Sequence, residues 1–416
     1  MAARDIPGTR CVNQILLITI SGEDQPGVTA GLTAILAAHS VSILDIGQAV
    51  IHAALSLGLL VELPEDCASK QVADAVQNFA LRHDLRVVTS TVSPESYSQW
   101  VEAQGQARYI ITLLARKITS DQLARVTKVI AHHGLNIAGI NRLSGRIPLG
   151  ELPALSKACV EFAARGSLQD PAAFRRDLLE VAGALEVDLA FQQDNMYRRN
   201  RRLVAFDMDS TLVEAEVIDE LAKLAGVGEQ VSAITERAMR GEIDFSESFR
   251  TRVALLEGLQ ESALEQVAGQ LKITEGAEHL IATLRTLGYK TAILSGGFTY
   301  FARHLQARLG MDYVYANELD IANGVVTGKI KGSIVDGNRK AELLRQMADE
   351  QGIDLQQVIA VGDGANDLPM LSIAGLGIAF RAKPLVQKSA EQSISTLGLD
   401  AILYLLGISD KYQNRT

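Results

Sequence analysis

The chain has 416 residues, 47% of them hydrophobic, which is enough apolar material for two or three buried cores. Its net charge is -9 and its one Arg-rich run is short (198–202), which argues against a nucleic acid or an anionic membrane as partner. The N-terminus lacks the apolar segment of a secretory signal, and the longest apolar run (49–61) is too short to span a bilayer. We therefore expect a globular cytoplasmic protein that acts on small molecules.

The first 190 residues contain a weak internal repeat at a constant offset of 94 residues. ILLITI (15–20) aligns with YIITLL (109–114), and residues 37–48 align with residues 131–142. Each copy begins with a strand-like run, continues with a helix-length segment and returns to alternating apolar residues. Chance similarity between apolar segments is the alternative, but a register without gaps favours two similar α+β domains.

Residues 192–202 are polar and mostly basic, without periodicity, so we place the main domain boundary there. The arginines of this segment could form a docking patch, but a solvated linker is the interpretation we favour.

From residue 203 onward, short apolar runs alternate with helix-length segments, a pattern typical of a parallel sheet covered on both faces. The runs are LVAF (203–206), TAIL (291–294), YVYA (313–316), VIAV (358–361) and LGIAF (376–380). Ligands of such sheets bind at the carboxyl ends of the strands. The residues at those ends are therefore the candidate functional residues.

Two carboxylates, Asp207 and Asp209, follow the first of these runs. At positions i and i+2 of an extended segment they point to the same side, so they repel unless a cation or a proton intervenes. A turn or helix cap is the alternative for this pair alone. Other strand ends carry Ser295-Gly296-Gly297 and Asp363 to Asp367, and Lys340 opens a helix-length segment between them. Together these residues could hold Mg²⁺ and a phosphate group.

Four segments resemble the motifs of the haloacid dehalogenase-like hydrolases: FDMDST (206–211), LSGG (294–297), Lys340 and VGDGANDLPML (361–371). Residues 215–222 and 239–258 are also similar to the corresponding segments of the phosphoserine phosphatases of that family. The resemblance implies a Rossmann-like parallel sheet with a helical cap inserted at about 215–285.

The resemblance also implies roles for individual residues. Asp207 would be the nucleophile that takes the phosphoryl group, and Asp209 the general acid and base. Ser295 and Lys340 would hold the phosphate. Mg²⁺ would be bound by Asp207, the main-chain carbonyl of Asp209 and Asp363, with Asp367 supporting them.

For substrate selection, the resemblance implies that Glu216 binds an ammonium group and Arg252 a carboxylate. The other expected substrate contacts are Met239, Phe245, Gly296 and Asn366. Exposed helix charges are the alternative interpretation of Glu216 and Arg252.

The N-terminal repeats resemble ACT domains, small modules that often bind amino acids. The loop 22–28 (GEDQPGV) of the first copy matches the family's strand-to-helix loop, whereas the second copy has RKITSD (116–121) there and departs from it. The candidate effector residues are Asp24, Gly27, Ser42 and Asn136. An effector site, a dimer contact and a purely structural role all remain open.

We thus expect an α/β phosphatase domain (196–416) preceded by two α+β ferredoxin-like ACT domains (1–95 and 96–195). The expected reaction is Mg²⁺-dependent hydrolysis of O-phospho-L-serine to L-serine and phosphate through an aspartyl-phosphate, the last step of serine biosynthesis. An amino-acid effector such as L-serine and a homodimer are the expected partners. The alternatives are a phosphatase for another phosphorylated amino acid or for phosphoproteins, and an amino-acid sensor whose phosphatase domain is inert.

Overall fold

A computed structural model of the chain describes residues 14–65, 68–148, 150, 155–240 and 242–412. The chain divides into two compact units, Met1–Gln106 and Ala107–Thr416. Within the described ranges, no helix has the length and hydropathy required to cross a membrane. The domain limits expected from the sequence, 1–95, 96–195 and 196–416, stay predictions.

The first unit contains a four-stranded antiparallel sheet with helices packed on one face. Its elements are β1 (Ile15–Glu23), α1 (Val28–Ala38), β2 (Ser42–Ile51), β3 (Ala54–Glu62), α2 (Ser69–Arg82), β4 (Arg86–Val92) and α3 (Pro94–Glu102). The strand order is β2-β3-β1-β4. Ile18 and Ile20 of β1 are buried while Thr19 between them is exposed, as the two-residue period of a strand requires. Gly31 lets α1 approach α2 closely, because a Cβ there would lie 2.3 Å from the ring of Phe79.

The second unit begins with a sheet of the same design. Its elements are β5 (Arg108–Ala115), α4 (Ser120–His132), β6 (Asn136–Arg142), β7 (Ala158–Arg165), α5 (Pro171–Leu185) and β8 (Asp188–Gln193). The order β6-β7-β5-β8 and the antiparallel pairing repeat those of the first unit. The predicted repeat is therefore present in the fold. This part corresponds to the second of the two domains that the sequence predicts to resemble ACT domains, and we keep the name second ACT domain for it.

A seven-stranded sheet follows. Its strands are β9 (Leu203–Phe206), β10 (Lys290–Phe298), β11 (Tyr313–Ala322), β12 (Val325–Lys331), β13 (Val358–Gly362), β14 (Leu376–Phe380) and β15 (Gln392–Ile394). They lie in the order β12-β11-β10-β9-β13-β14-β15, with β12 antiparallel to β11 and the other neighbours parallel. All five apolar runs singled out in the sequence lie in these strands. The sequence reading missed β12, an edge strand with alternating polar residues, and β15, which has three residues.

Helices cover both faces of this sheet and also form an insertion between β9 and β10. They are α6 (Val217–Leu224), α7 (Gly228–Met239), α8 (Phe245–Ala254), α9 (Ser262–Gln270), α10 (Ala277–Thr286), α11 (Thr299–Leu309), α12 (Gly337–Gln351), α13 (Leu368–Ile373), α14 (Pro384–Ser389) and α15 (Ile402–Leu405). Alternate residues of β9 enter different cores: Val204 and Phe206 belong to one buried cluster, and Leu203 and Ala205 to the other. Burial on both faces explains why the strands read as continuous apolar runs.

Helices α6 to α9 are inserted between β9 and β10 and form the cap. Two chain segments connect them to the sheet, which we call the first linker (212–216) and the second linker (271–275). Val213 and Ile273 form an antiparallel bridge between the linkers. The amide of Glu214 donates to the carbonyl of Lys272 at 2.9 Å, and the amide of Thr274 donates to the carbonyl of Leu212 at 3.0 Å. The two linkers are thus joined at the base of the cap.

The second ACT domain packs on the seven-stranded sheet through hydrogen bonds between β8 and the region of β15. The amide side chain of Gln392 accepts from the backbone N–H of Phe191 at 2.8 Å and donates to its carbonyl at 2.6 Å. The carboxylate of Asp188 accepts from the amides of Ser395 and Thr396 at 2.9 and 2.8 Å. Burial raises the pKa of Asp188, although these two hydrogen bonds act in the opposite direction.

The structure corrects the interpretation of 192–202 as a solvated linker. Arg198 is fully buried and forms an ion pair with Glu161 of β7. Arg201 is also buried, and its guanidinium donates to the carbonyl of Gln356 at 2.9 Å. Burial lowers the pKa of Arg201 to about 10. These arginines are interior contacts between the second ACT domain and the seven-stranded sheet, which local composition could not reveal.

Candidate active site

The carboxyl ends of three adjacent parallel strands bring the predicted residues together. Strands β9 and β13 are paired with Phe206 opposite Val361, so Asp207 and Asp363 leave the sheet side by side. The amide of Asp207 donates to the carbonyl of Val361 at 2.9 Å, which continues the pairing by one residue. Strand β10 lies on the other side of β9 and carries Ser295.

Lys340, in the first turn of α12, is fully buried between two carboxylates. Its Nζ lies 2.9 Å from Oδ1 of Asp207 and 2.7 Å from Oδ1 of Asp367. Burial acts to lower the pKa of Lys340, but the two carboxylates outweigh it, so the pKa is raised and the lysine is held as a cation. An ammonium group has three N–H donors, and these contacts use two of them. One donor is left for an oxygen of a bound anion.

Asp367 organises the loop after β13. Its Oδ2 accepts from the amides of Asp363 and Gly364 at 3.1 and 2.9 Å, while Oδ1 is taken by Lys340. Asp363 is held from the other side by Thr211, whose hydroxyl donates to Oδ1 at 3.2 Å. Both oxygens of Asp367 are therefore already engaged. The resemblance implies a supporting role for this residue.

The carboxylates of Asp207, Asp363 and Asp367 lie within 4.8 Å of one another. Two carboxylates at about 4 Å repel by about 4 kcal/mol at an effective dielectric constant of 20, and Lys340 supplies one compensating charge. Burial and the neighbouring Asp367 raise the pKa of Asp207 well above its usual range and that of Asp363 to about 7. This oxygen donor set fits a hard divalent cation such as Mg²⁺, which would relieve the repulsion. Asp207 and Asp363 are the residues that could hold it.

The side chain of Asp209 is directed away from this group. Its Oδ1 accepts from the amide of Val217, the first residue of α6, at 3.2 Å. A Cβ at Gly297 would lie 2.6 Å from Oδ2 of Asp209, so the glycine makes room for this carboxylate against the end of β10. Burial and the nearby Glu216 raise the pKa of Asp209 well above its usual range. A carboxyl group with a raised pKa retains its proton to higher pH, as a general acid requires.

Ser295 and Gly296 lie at the end of β10. The Ser295 hydroxyl is fully buried and accepts from the amide of Gly297 at 2.9 Å, which leaves its own O–H available to an anion. The carbonyl of Gly296 accepts from the side chain of Asn317 at 2.8 Å, and Asn317 in turn accepts from the amide of Val335 at 2.8 Å.

Sequence reasoning missed Asn317 and Thr211 as parts of the site. Asn317 directly follows the apolar run YVYA, so the strand-end rule that found Asp207 and Asp363 could have found it. Thr211 lies in the segment FDMDST, but the sequence indicates no separate role for it. Its contact with Asp363 spans 152 positions, and no local pattern indicates it.

The cap supplies the remaining candidates. Glu216, at the N-terminus of α6, is exposed, and its Oε1 accepts from the hydroxyl of Ser210 at 2.7 Å. Phe245 lies against the site, because a Cβ at Gly296 would be 2.9 Å from its ring. Asn366 lies in the loop between Asp363 and Asp367, and a Cβ at Gly364 would be 2.2 Å from its Oδ1. The side chain of Met239 lies outside the described residues.

Arg252 of α8 is half-buried, and Glu216, Asp219 and Asp209 are the acidic groups near it. Burial lowers its pKa against the effect of these acids. Its Nη1 reaches Thr235 at 3.5 Å, but its buried Nε has no partner among the described residues. The guanidinium thus has an unused donor inside the cap.

Comparisons with known proteins agree with this architecture. The profile of the haloacid dehalogenase-like hydrolases matches residues 201–375, and the ACT domain profile matches residues 14–90. The chain is 41% identical to the phosphoserine phosphatase of Streptomyces coelicolor, over 95% of this chain and 92% of the relative. It is 42% identical to phosphoserine phosphatase SerB2 of Mycobacterium tuberculosis, over 95% and 93%.

A solved structure gives the same result at the level of the fold. The unliganded probable phosphoserine phosphatase from Vibrio cholerae is 34% identical and superposes with a TM-score of 0.58, covering 74% of this chain and 88% of that chain. Identity above 40% over nearly the whole length of two relatives, with both expected profiles, establishes the family. The chain belongs to the phosphoserine phosphatase family of the haloacid dehalogenase-like hydrolases and carries an N-terminal ACT domain.

Proposed function

We propose that the chain hydrolyses O-phospho-L-serine to L-serine and phosphate, with Mg²⁺ as cofactor and an aspartyl-phosphate on Asp207. The observation that carries this proposal is that two aspartates only two positions apart in the chain have different surroundings. Asp207 is paired with Lys340 inside the carboxylate group, whereas Asp209 is hydrogen-bonded to Val217 and outside it. One aspartate is thus suited to attack and the other to carry a proton.

In the first step, Asp207 attacks phosphorus through Oδ2, because Oδ1 already accepts from Lys340 and from the amide of Met208 at 2.7 Å. The bond from phosphorus to the serine oxygen breaks, and Asp209 donates its proton to that oxygen. In the second step, Asp209 takes a proton from the water that attacks the aspartyl-phosphate. Phosphate leaves and Asp207 is regenerated.

Ser295 and Lys340 hold the phosphate through the O–H and N–H donors that their internal contacts leave unused. Asp207 and Asp363 would hold Mg²⁺, with Asp367 fixing the loop of Asp363 and the carbonyl of Asp209 as the third protein ligand expected from the resemblance. When bound, the cation supplies positive charge to the phosphate oxygens.

The amino-acid part of the substrate would be bound by residues of the cap. Glu216 would bind the ammonium group, Arg252 the carboxylate, and Phe245 and Met239 would line the pocket, with Gly296 and Asn366 against the substrate. The unused Nε donor of Arg252 supports this assignment, because a guanidinium is well suited to bidentate binding of a carboxylate.

The direct test is phosphate release by the full-length chain from phosphoserine, phosphothreonine, a sugar phosphate and a phosphopeptide, each with Mg²⁺ and with EDTA. We expect phosphoserine to give the highest kcat/KM and EDTA to abolish turnover. A higher kcat/KM for one of the other three compounds would identify that compound class as the substrate instead. Absence of turnover on all four would instead favour a sensor with an inert phosphatase domain.

Substrate selection gives a second prediction. Arg252→Ala should lower kcat/KM for phosphoserine about 10- to 100-fold, since a charged hydrogen bond is worth about 1.5 to 3 kcal/mol. Turnover of phosphoethanolamine, which has no carboxylate, should be nearly unchanged. Arg250→Ala, an exposed arginine on the same helix, is the matched control. Equal losses of kcat/KM for phosphoserine and phosphoethanolamine would show that Arg252 does not bind the substrate carboxylate.

For the ACT domains we propose amino-acid binding, with L-serine as the first candidate. Ser42 and Asn136 are exposed and occupy equivalent places as the first residues of β2 and β6. Gly27 has a φ of 94° at the start of α1, and Asp24 is exposed in the same loop. Calorimetric titration of the chain with L-serine tests this role, and no heat of binding for any common amino acid would contradict it.

We also propose that the chain forms a homodimer. Strand β2 is an edge strand of its sheet, and Ile43, Ile46 and Val50 of this strand remain 45%, 48% and 42% exposed. An exposed apolar edge of this kind supports pairing with a second copy. Light scattering should give twice the chain mass, and a monomer mass at micromolar concentration would contradict the proposal.

A further inference from the structure

The loop after β5 begins with Arg116, at the place where the first ACT domain has its GEDQPGV loop. The sequence of this loop departs from the ACT pattern and does not indicate its role. In the structure, Arg116 reaches out of its own domain to Glu275, the last residue of the second linker of the cap. Its Nη1 and Nη2 donate to the two carboxylate oxygens at 2.8 and 2.9 Å. A bidentate contact of this kind fixes direction as well as distance.

The contact continues from Glu275 to the first linker. Arg381, which follows β14, donates from Nη2 to Glu275 at 2.8 Å, and its Nη1 lies 3.7 Å from the carboxylate of Glu214. Glu214 in turn pairs with Lys272 of the second linker. We call Arg116, Glu275, Arg381 and Glu214 the linker strap. It holds both connections of the cap to the sheet.

The main chains of Arg116 and Glu275 make further hydrogen bonds. The carbonyl of Arg116 accepts from the hydroxyl of Ser156 at 2.9 Å within the second ACT domain. The carbonyl of Glu275 accepts from the amide of Leu399 at 2.8 Å in the phosphatase core. The four side chains are between 20% and 32% exposed, and the Arg116 hydrogen bonds lower the pKa of Glu275, so this carboxylate stays charged at neutral pH. The strap is thus neither a freely solvated pair nor a part of the buried core.

The position of the cap affects access to Asp207. Ser295 and Lys340 are fully buried, Asp207 is 5% exposed, and Phe245 of the cap lies against Gly296. Asp207 is thus enclosed on the side where Phe245 lies, and opening of the cap would give a substrate a wider approach to it. The two linkers are the covalent connections of α6 to α9 to the sheet, so opening must change the backbone of these segments.

We propose that the linker strap positions the cap, and that Arg116 is the residue through which the second ACT domain acts on it. When Arg116 holds Glu275, the paired linkers keep the cap in its closed geometry. Arg116 and Glu275 are positioning residues, because neither touches the reacting atoms. Only the kinetic part of this proposal rests on the proposed function. Hydrogen exchange of the linker amides can be measured without turnover.

Hydrogen exchange of the full-length chain tests the linkers directly. In Arg116→Ala and in Glu275→Gln, the amides of Glu214 and Thr274 should exchange about fivefold faster, at the lower end of ordinary couplings between sites. The amides of Ile359 and Val361 in the centre of the sheet should not change. Arg308→Ala is the matched control, because it removes the ion pair with Glu278, which lies outside the linkers.

Kinetics provide the second measurement. In Arg116→Ala, KM for phosphoserine should rise about fivefold with a smaller change in kcat, while Arg116→Lys should recover part of the loss. If the amides of Glu214 and Thr274 exchange at the wild-type rate in both Arg116→Ala and Glu275→Gln, the proposal is wrong. It is also wrong if exchange at Ile359 becomes faster by the same factor, because that would indicate general destabilisation. A wild-type chain that does not hydrolyse phosphoserine would refute the proposed function while leaving the exchange result to decide on the strap.

Discussion

Asp207→Asn should abolish turnover of every phosphate ester, whatever its leaving group. Only a carboxylate can attack phosphorus here, and removal of a nucleophile typically costs on the order of 10⁵ to 10⁶ in kcat. The amide keeps an oxygen that can accept from Lys340 and from Met208, so the fold should be retained. Initial rates with phosphoserine and with p-nitrophenyl phosphate measure the loss.

The thermal midpoint of this variant serves as its control, because an unfolded protein would also be inactive. A folded Asp207→Asn protein that still hydrolyses either ester at an appreciable fraction of the wild-type rate would remove Asp207 from the role of nucleophile.

Asp209→Asn should have a different effect that depends on the leaving group. General acid–base help is worth about 10² to 10⁴ in rate, and for phosphoserine it is lost in both steps. p-Nitrophenyl phosphate has a leaving group that departs without a proton, so only hydrolysis of the aspartyl-phosphate should be slow. The phosphoenzyme should then accumulate on Asp207.

The measurement is rapid mixing of Asp209→Asn with p-nitrophenyl phosphate and Mg²⁺. We expect a burst of nitrophenolate approaching one per active site, followed by slow turnover, and a phosphate on Asp207 that hydroxylamine releases. Wild-type protein under the same conditions should show no such separation of phases. No burst in Asp209→Asn, combined with turnover by Asp207→Asn, would mean that the two roles are assigned wrongly.

Much of the fold could be predicted because its signals are local. LVAF coincides with β9 and LGIAF with β14, since a strand buried on both faces must be apolar at every position. The repeat was visible because equivalent strands and helices need apolar residues at equivalent positions. Asp207 and Asp363 could be placed together because the carboxyl ends of parallel strands meet at one edge of the sheet.

The remaining features depend on contacts between distant residues. Arg116 and Glu275 are 159 positions apart, and nothing near either residue indicates the other. Arg198 lies in a stretch that composition alone assigns to solvent, yet Glu161, 37 positions earlier, pairs with it in the interior. Asn317 and Thr211 likewise act through partners in other segments of the chain. Side-chain pairs of this kind are determined by packing, which a single sequence does not display.

The contacts between β8 and the region of β15 determine at which residue the chain can be truncated without loss of interior contacts. A fragment that starts at residue 196 would lose Asp188 and Phe191, and with them the partners of the Ser395 and Thr396 amides and of the Gln392 side chain. It would also lack Arg116, and with it the ion pair between Arg116 and Glu275. A fragment that starts at Ala107, the first residue of the second unit, keeps all of these partners. For expression of a shortened enzyme, the natural starting point is therefore the second ACT domain and not the first strand of the phosphatase sheet.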